Sequence, residues 1–286
     1  IAGHLNTSGE GSGDSGGEIF IQGASVILDK SLIQAIGKDA TGGDITITGT
    51  NWLSVGGQID ASGDSGGNIK LTAGGLSIAA PILAQGITGQ GGSIDISTLF
   101  RSWENVDAVL DVSGATGGSI QHFTKHEIQT SGKYLAIGTN GRGGRIDVTA
   151  SSLKFLSNTI DASGTMGGGT IRLGGEYQGG KNLTVDEIKN AETLLMTDAA
   201  NITAKTTGTE GDGGRIIVWA DQQAAVFGQL DVTPGTQTGA GGFVEVSSAN
   251  TLTFGAKVVT GINDRTGTLL LDPKNITIAS SGGSGS

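Results

Sequence analysis

Aliphatic and polar residues alternate in short segments that recur about every 25 residues along the chain. Each segment follows a Gly-Gly step, and the second glycine of that step is here called the anchor. An aliphatic residue stands two positions after the anchor in all ten copies and four positions after it in nine, His122 being the exception. This alternation predicts one strand with a buried face in every repeat. The anchors are Gly17, Gly43, Gly67, Gly92, Gly118, Gly144, Gly169, Gly214, Gly242 and, in a degenerate last copy, Gly267.

Each repeat carries two further strand-like segments, separated by Gly, Ser, Asp and Asn turn residues. Residues 76–78 and 153–155 are typical of the second segment, and residues 59–63 and 160–164 of the third. Three short strands per repeat predict an all-β fold, a right-handed parallel β-helix that forms a three-sided solenoid of about ten coils. We expect residues 1–279 to form this single domain and residues 280–286 to be a flexible linker or tail.

One interval between anchors is longer than the others. Gly169 and Gly214 are 45 residues apart, about 20 more than one coil needs. The surplus predicts a loop insertion at about 175–191, at the first corner of its coil. Insertions in repeat folds are the usual place for ligand recognition, which makes Tyr177 in this loop a candidate contact.

Glycine makes up 53 of the 286 residues, whereas proline occurs three times and cysteine not at all. No Gly-X-Y register is present, which excludes collagen, and the regular aliphatic positions argue against disorder. We expect the Gly-Gly steps to supply positive φ values at the corners and to let the coils stack without Cβ collisions. The net charge of −10 opposes nucleic acid as a partner, and no apolar run approaches the ~18 residues of a membrane span.

Four motifs in the C-terminal third occur in a fixed order. They are GGEYQGGKNL at 174–183, GDGGRIIVWAD at 211–221, GAGGFVEVSS at 239–248 and GTLLLDPKNITI at 267–278. Over residues 165–279 the chain resembles the bacterial two-partner-secretion exoproteins, the filamentous-haemagglutinin-like adhesins. Upstream, only the glycine-rich coil pattern and a recurring Ile-Asp-Ala-Ser-Gly motif are shared.

The resemblance implies an extracellular protein, secreted or held at the bacterial cell surface. It implies an outer-membrane transporter as the partner during export and attachment to a surface or matrix polysaccharide, with a role in biofilm cohesion. The N-terminal secretion domain of the family is not recognisable here, so we expect an internal β-helix fragment that lacks this region. The family offers no catalytic residues to carry over, and we expect no enzyme activity.

Aromatic residues are scarce, with 3 Trp, 2 Tyr and 7 Phe, yet several fall within two adjacent coils. Because sugars stack on aromatic faces beside polar groups, this cluster is a candidate glycan site. Its members are Phe100, Arg101, Trp103, Glu104, His122, Phe123, His126 and Tyr134. The alternative, which the residues alone favour, is packing around a bulge of the coil, with His122 hydrogen-bonded or turned outward. His122 and His126 would form a metal pair only on a helix, so no metal site is expected.

A recurring aspartate of the third segment allows a different hypothesis, a polysaccharide-cleaving lyase or hydrolase. Its copies are Asp60, Asp111, Asp161 and Asp231. The coils between hold residues such as Leu83 at this position, and aspartate before glycine is ordinary turn chemistry, so we favour a structural role. A third hypothesis is a structural spacer of a larger filament that binds no ligand.

No cofactor is expected. Acidic turns such as Gly211-Asp212-Gly213 offer oxygen atoms of the kind Ca²⁺ takes, but the calcium-binding nonapeptide of β-helical repeats is not reproduced.

Overall fold

A computed structural model of the protein describes residues 1–180 and 188–274, and its regular secondary structure consists almost entirely of parallel strands. A short 3-10 segment, Tyr177–Gly180, is the exception within the described residues. The strands are β1 (His4–Asn6), β2 (Glu18–Gln34), β3 (Asp44–Asp60), β4 (Asn68–Ile78), β5 (Pro81–Leu83), β6 (Ser93–Thr98), β7 (Arg101–Glu104), β8 (Val109–Asp111), β9 (Ser119–Thr124), β10 (Glu127–Thr130), β11 (Lys133–Leu135), β12 (Arg145–Thr149), β13 (Ser152–Phe155), β14 (Thr159–Asp161), β15 (Thr170–Leu173), β16 (Thr193–Met196), β17 (Asn201–Thr203), β18 (Arg215–Ala220), β19 (Gln223–Val226), β20 (Gln229–Asp231), β21 (Phe243–Ser248), β22 (Thr251–Phe254), β23 (Lys257–Val259) and β24 (Thr268–Pro273).

The strands stack into a solenoid with three faces. The first face holds β6, β9, β12, β15, β18, β21 and β24, the second holds β7, β10, β13, β16, β19 and β22, and the third holds β5, β8, β11, β14, β17, β20 and β23. The longer β2, β3 and β4 turn the corners and contribute to more than one face. Each first-face strand begins directly after an anchor glycine, and coils are numbered below from the coil of Gly17. The predicted β-solenoid of about ten coils is confirmed.

The core consists of stacked aliphatic rows that run the length of the rod. The residues two positions after each anchor are register partners from coil to coil and are buried from coil one to coil nine. They are Ile19, Ile45, Ile69, Ile94, Ile120, Ile146, Ile171, Ile216, Val244 and Leu269. Each fully buried side chain of this kind contributes about 1.5–3 kcal/mol relative to an exposed one, so the row is a main source of stability.

The anchor glycines are needed for close approach rather than for backbone conformation. A Cβ on Gly92 would lie 2.0 Å from the carbonyl oxygen of Gly67 in the preceding coil, and one on Gly144 would lie 2.0 Å from that of Gly118. The prediction that the Gly-Gly steps supply positive φ values is wrong at the anchors, because the described glycines with positive φ, such as Gly167, lie outside the steps that precede the first-face strands. The expected absence of room for a Cβ is confirmed.

The insertion leaves the solenoid at the corner between β15 of the first face and β16 of the second. Residues 181–187 of the insertion, the end of the last family-like motif and the predicted tail at 280–286 lie outside the described residues. No helix in the part of the chain that is described has the length and apolar character needed to cross a membrane.

Candidate functional site

The residues predicted for the glycan site are separated by the alternation of β7. Arg101 and Trp103 point outward from this strand, whereas Ser102 and Glu104 point into the solenoid. Sequence neighbours therefore lie on opposite sides of the sheet. The predicted cluster divides into an interior group, an exposed group on the second face, and two aromatic residues elsewhere.

The interior group joins the three faces of the solenoid. His122 comes from β9 of the first face, Glu104 from β7 of the second and Tyr134 from β11 of the third, and all three are buried. The Tyr134 hydroxyl donates to Glu104 Oε2 over 2.6 Å. Because the hydroxyl proton of Tyr134 is used in this bond, Tyr134 Oη accepts a second hydrogen bond from His122 Nδ1–H over 2.9 Å. His122 Nδ1 also lies 3.0 Å from Glu104 Oε1.

Burial and the neighbouring groups shift the pKa values of Glu104 and Tyr134. Burial opposes ionisation of Glu104, but the charge of His122 and hydrogen bonds from His122, Thr130 and Tyr134 together hold its pKa below the ordinary value. Burial and the neighbouring Glu104 carboxylate raise the pKa of Tyr134 well above its ordinary value. Tyr134 therefore remains a hydroxyl donor at neutral pH.

His122 stays in the core row without disturbing it. Ile96, His122 and Val148 are register partners, and β9 pairs with both neighbouring strands without a shift. The predicted bulge is wrong, whereas the prediction of a hydrogen-bonded His122 is confirmed. Since Glu104, His122 and Tyr134 are shielded from solvent, these three residues are not part of the candidate glycan site on the surface.

The exposed group lines a shallow groove of about 700 Å³ on the second face. Phe100 and His126 stack with their ring centroids 6.3 Å apart and their planes within 4°. Arg101 and Trp103 lie beside them, together with Trp52 of coil two. Trp52 was not among the predicted site residues, although its outward position in the second strand segment was a signal for it. Its ring occupies the space above Gly75, since a Cβ there would lie 2.5 Å from Trp52 Cζ3.

Two salt bridges form at the end of this groove that lies away from Trp52. Arg101 Nε lies 3.0 Å from Glu127 Oε1, and Lys154 Nζ lies 2.8 Å from Glu127 Oε2. The Lys154 hydrogen bond, with the nearby positive charges of Lys154 and Arg101, outweighs partial burial and lowers the pKa of Glu127. The groove thus combines aromatic faces with fixed charges.

Phe123 and Tyr177 lie outside this groove. Phe123 lines a separate groove of about 390 Å³ on the first face, where Lys189 Nζ lies 5.5 Å from its ring centroid. Tyr177 packs edge-on against Phe243 with centroids 5.8 Å apart, and the Arg215 guanidinium covers both rings. The structure therefore does not bring these two residues to the Trp103 groove.

The described base of the insertion is docked on the solenoid by residues of the family-like motifs. The backbone N–H of Gln178 faces the Glu245 carboxylate at 3.1 and 3.2 Å. Burial raises the pKa of Glu245 despite this hydrogen bond. Trp219 fills the space beside Gly179, and its Nε1–H donates to Asp221 over 2.8 Å. Motifs that are distant in sequence thus meet to fix the insertion.

The recurring aspartates act in turns. Oδ1 of Asp60, Asp111, Asp161 and Asp231 accepts the backbone N–H of the residue two positions later, at 2.7–3.0 Å. Leu83 lies between Asp60 and Asp111, as predicted. The structural role of these aspartates is confirmed, and turn chemistry accounts for the feature on which the cleavage hypothesis depended.

No group of three or more His, Cys, Asp or Glu side chains is gathered as a metal site in the described part of the chain. In one of the acidic turns, Asp212 Oδ1 accepts the N–H of Ala240 over 2.8 Å, so this oxygen has a structural partner.

Comparison with known proteins finds a structural likeness. No protein-family model and no curated protein matches the chain. The fold is similar to that in the crystal structure of the HMW1 secretion domain from Haemophilus influenzae, with a TM-score of 0.57 and 24% sequence identity. The alignment covers 84% of this chain and 66% of the other. The likeness establishes a shared β-solenoid fold, and the neighbour is itself a secretion domain.

Proposed function

We propose that the chain is a rigid β-helical module of a secreted bacterial adhesin whose second face binds a surface or matrix glycan. The observation that carries the proposal is the exposure of three large aromatic side chains on one stretch of this face. Trp52 is 39% exposed, Phe100 59% and Trp103 56%. Burying these rings against a ligand would be favourable, which is why exposed aromatic patches mark binding sites.

The groove has the chemistry that sugars need. Aromatic rings offer faces for the C–H side of a pyranose, and the hydroxyls of Ser54 and Ser77 line the same groove for polar contacts. Trp52 and Trp103 are held on strands that pair with neighbours on both sides, so this part of the surface is organised before a ligand arrives. This rigidity limits the entropic cost of binding.

Secretion and location form the second part of the proposal. The chain is extracellular, and an outer-membrane transporter is its partner during export, as in two-partner secretion. The C-terminal motifs and the fold shared with a secretion domain support this. Deletion of the transporter gene is expected to remove the protein from the cell surface and the medium; unchanged export would contradict it.

The groove is tested by a glycan array and by pull-down on biofilm polysaccharide, with Trp103→Ala as the variant. Leu195→Ala is the matched control, because Leu195 is an exposed apolar residue of the same outward row in coil seven. We expect Trp103→Ala to lose most binding and Leu195→Ala to retain it. An equal loss in both, or none in either, would contradict the groove as the site.

The same protein and polysaccharides also test the two other hypotheses, a structural spacer and a polysaccharide-cleaving enzyme. Failure of every glycan to bind would leave a structural spacer of a larger filament. Release of products from polysaccharide, abolished by Asp111→Ala and Asp161→Ala, would instead establish a lyase or hydrolase. We propose a protein without enzyme activity, since each of these aspartates is already engaged in a turn.

A further inference from the structure

Two cations share one carboxylate at the end of the second-face groove. Arg101 and Lys154 both contact Glu127, and their side chains are 64% and 38% exposed, whereas Glu127 is 22% exposed. One negative charge cannot neutralise two positive charges, so this cluster keeps a net charge of about +1. The whole chain carries −10, which makes a positive patch beside exposed aromatic rings a local exception.

The groove is elongated along the rod. Trp52 belongs to coil two and pairs in register with Gly75 of coil three, and Arg101 follows in coil four of the same row. His126 belongs to coil five. From Trp52 to His126 the groove crosses three coil-to-coil steps, roughly 14 Å at ~4.8 Å per step. This length accommodates several linked sugars and exceeds a single ring.

We propose that the groove binds an acidic polysaccharide laid along the rod axis, with sugar faces on Trp52 and Trp103 and an acidic group beside Arg101 and Lys154. This inference rests on the proposed function, since it specifies the glycan that the groove takes. A neutral glycan would leave the exposed guanidinium of Arg101 without a partner charge beyond Glu127. Binding of a nucleic acid strand depends on neutralising several phosphates, whereas this cluster offers a net charge of about +1, enough for one acidic group.

The test measures binding of the whole chain to four immobilised polymers at low and high salt. Polygalacturonate supplies carboxylates, dextran sulfate supplies sulfates, dextran is neutral and oligothymidine is a nucleic acid strand. We expect binding to one or both acidic polysaccharides, weakened at high salt because exposed charges are screened. Free galacturonic acid is expected not to compete, whereas its oligomers are expected to compete.

Charge variants connect the binding to the groove. Arg101→Gln is expected to weaken binding to the acidic polymer about tenfold, the effect of one charge-assisted contact, and Arg101→Lys to retain most of it. Lys133→Gln is the matched control, because Lys133 is an exposed lysine of the third face, and it is expected to change affinity less than about twofold.

The outcomes separate this inference from the function on which it rests. Binding to dextran or to another neutral glycan, unaffected by Arg101→Gln but lost in Trp103→Ala, would overturn the acidic class and leave the glycan groove intact. Tighter binding to oligothymidine than to either acidic polymer would overturn the polysaccharide class. Binding to no carbohydrate at all would overturn both proposals.

Discussion

Tyr134 of the third face donates a 2.6 Å hydrogen bond to Glu104 of the second face, inside the solenoid. The donor and acceptor belong to adjacent coils, and His122 of the first face completes the group. A polar connection between all three faces lies in a core that is otherwise mainly aliphatic. Such buried groups stabilise a fold only while every partner is present.

Removal of the Tyr134 hydroxyl is therefore expected to be costly. Tyr134→Phe keeps the ring but leaves Glu104 and His122 without their shared partner, and we expect a loss of about 1–3 kcal/mol in the free energy of unfolding. Urea denaturation measures this. Trp103→Phe, at an exposed position, serves as the control and is expected to change stability by less than about 0.5 kcal/mol. Equal effects of the two variants would contradict the account.

Stability is expected to depend on pH through Glu104. Its pKa in the folded protein lies below the ordinary value of 4.5. A carboxyl group of this kind stabilises the fold above its unfolded pKa, and the contribution is lost as the pH falls through the folded pKa. The stability difference between the wild type and Glu104→Gln should thus be largest near neutral pH and shrink below about pH 4.5. Thermal unfolding from pH 7 to pH 3 checks this, and a difference independent of pH would count against it.

Close stacking of the coils makes the anchor glycines sensitive to substitution. In Gly92→Ala the new methyl group would meet the Gly67 carbonyl, and we expect a loss of at least about 2 kcal/mol because backbone must move. Gly23→Ala is the control: its Cβ would meet nothing closer than 3.4 Å, and its φ is not positive. Comparable Tm values for the two variants would show that stacking tolerates a side chain at the anchor.

Trp219 is expected to hold the base of the insertion. It is 4% exposed and fills the space beside Gly175 and Gly179. Trp219→Leu should therefore loosen the segment and speed its cleavage by a protease at low enzyme concentration, whereas Trp103→Leu should leave the cleavage rate unchanged. Mapping the cut sites by mass spectrometry gives the readout, and cleavage elsewhere first would argue against this role.

The fold follows from the sequence because the aliphatic rows recur at fixed distances from the anchors. Ile45, Ile69 and Ile94 occupy equivalent positions, and parallel stacking puts them in contact. The candidate site could be predicted only in part. The inward positions of β7 are Ser102 and Glu104, so this strand has no aliphatic signal to show which side faces the core.

Alignment of neighbouring coils would have supplied that information. Ile78 is the register partner of Glu104, which places Glu104 inside and Trp103 outside. The roles of Glu245 and Asp221 could not be predicted, since they depend on contacts with the insertion more than 30 residues away in the chain.

If the second-face groove binds glycan, the ligand should change the fluorescence of the tryptophans that line the groove. The chain has three tryptophans: Trp52 and Trp103 line the groove, whereas Trp219 is buried beside Gly175 and Gly179 at the base of the insertion. Variants that retain a single tryptophan, with phenylalanine at the other two positions, are titrated with the polysaccharide that binds best. We predict a saturable change in emission for the proteins that retain Trp52 or Trp103 and none for the protein that retains Trp219. A change confined to Trp219, or binding without any change at Trp52 and Trp103, would contradict the account.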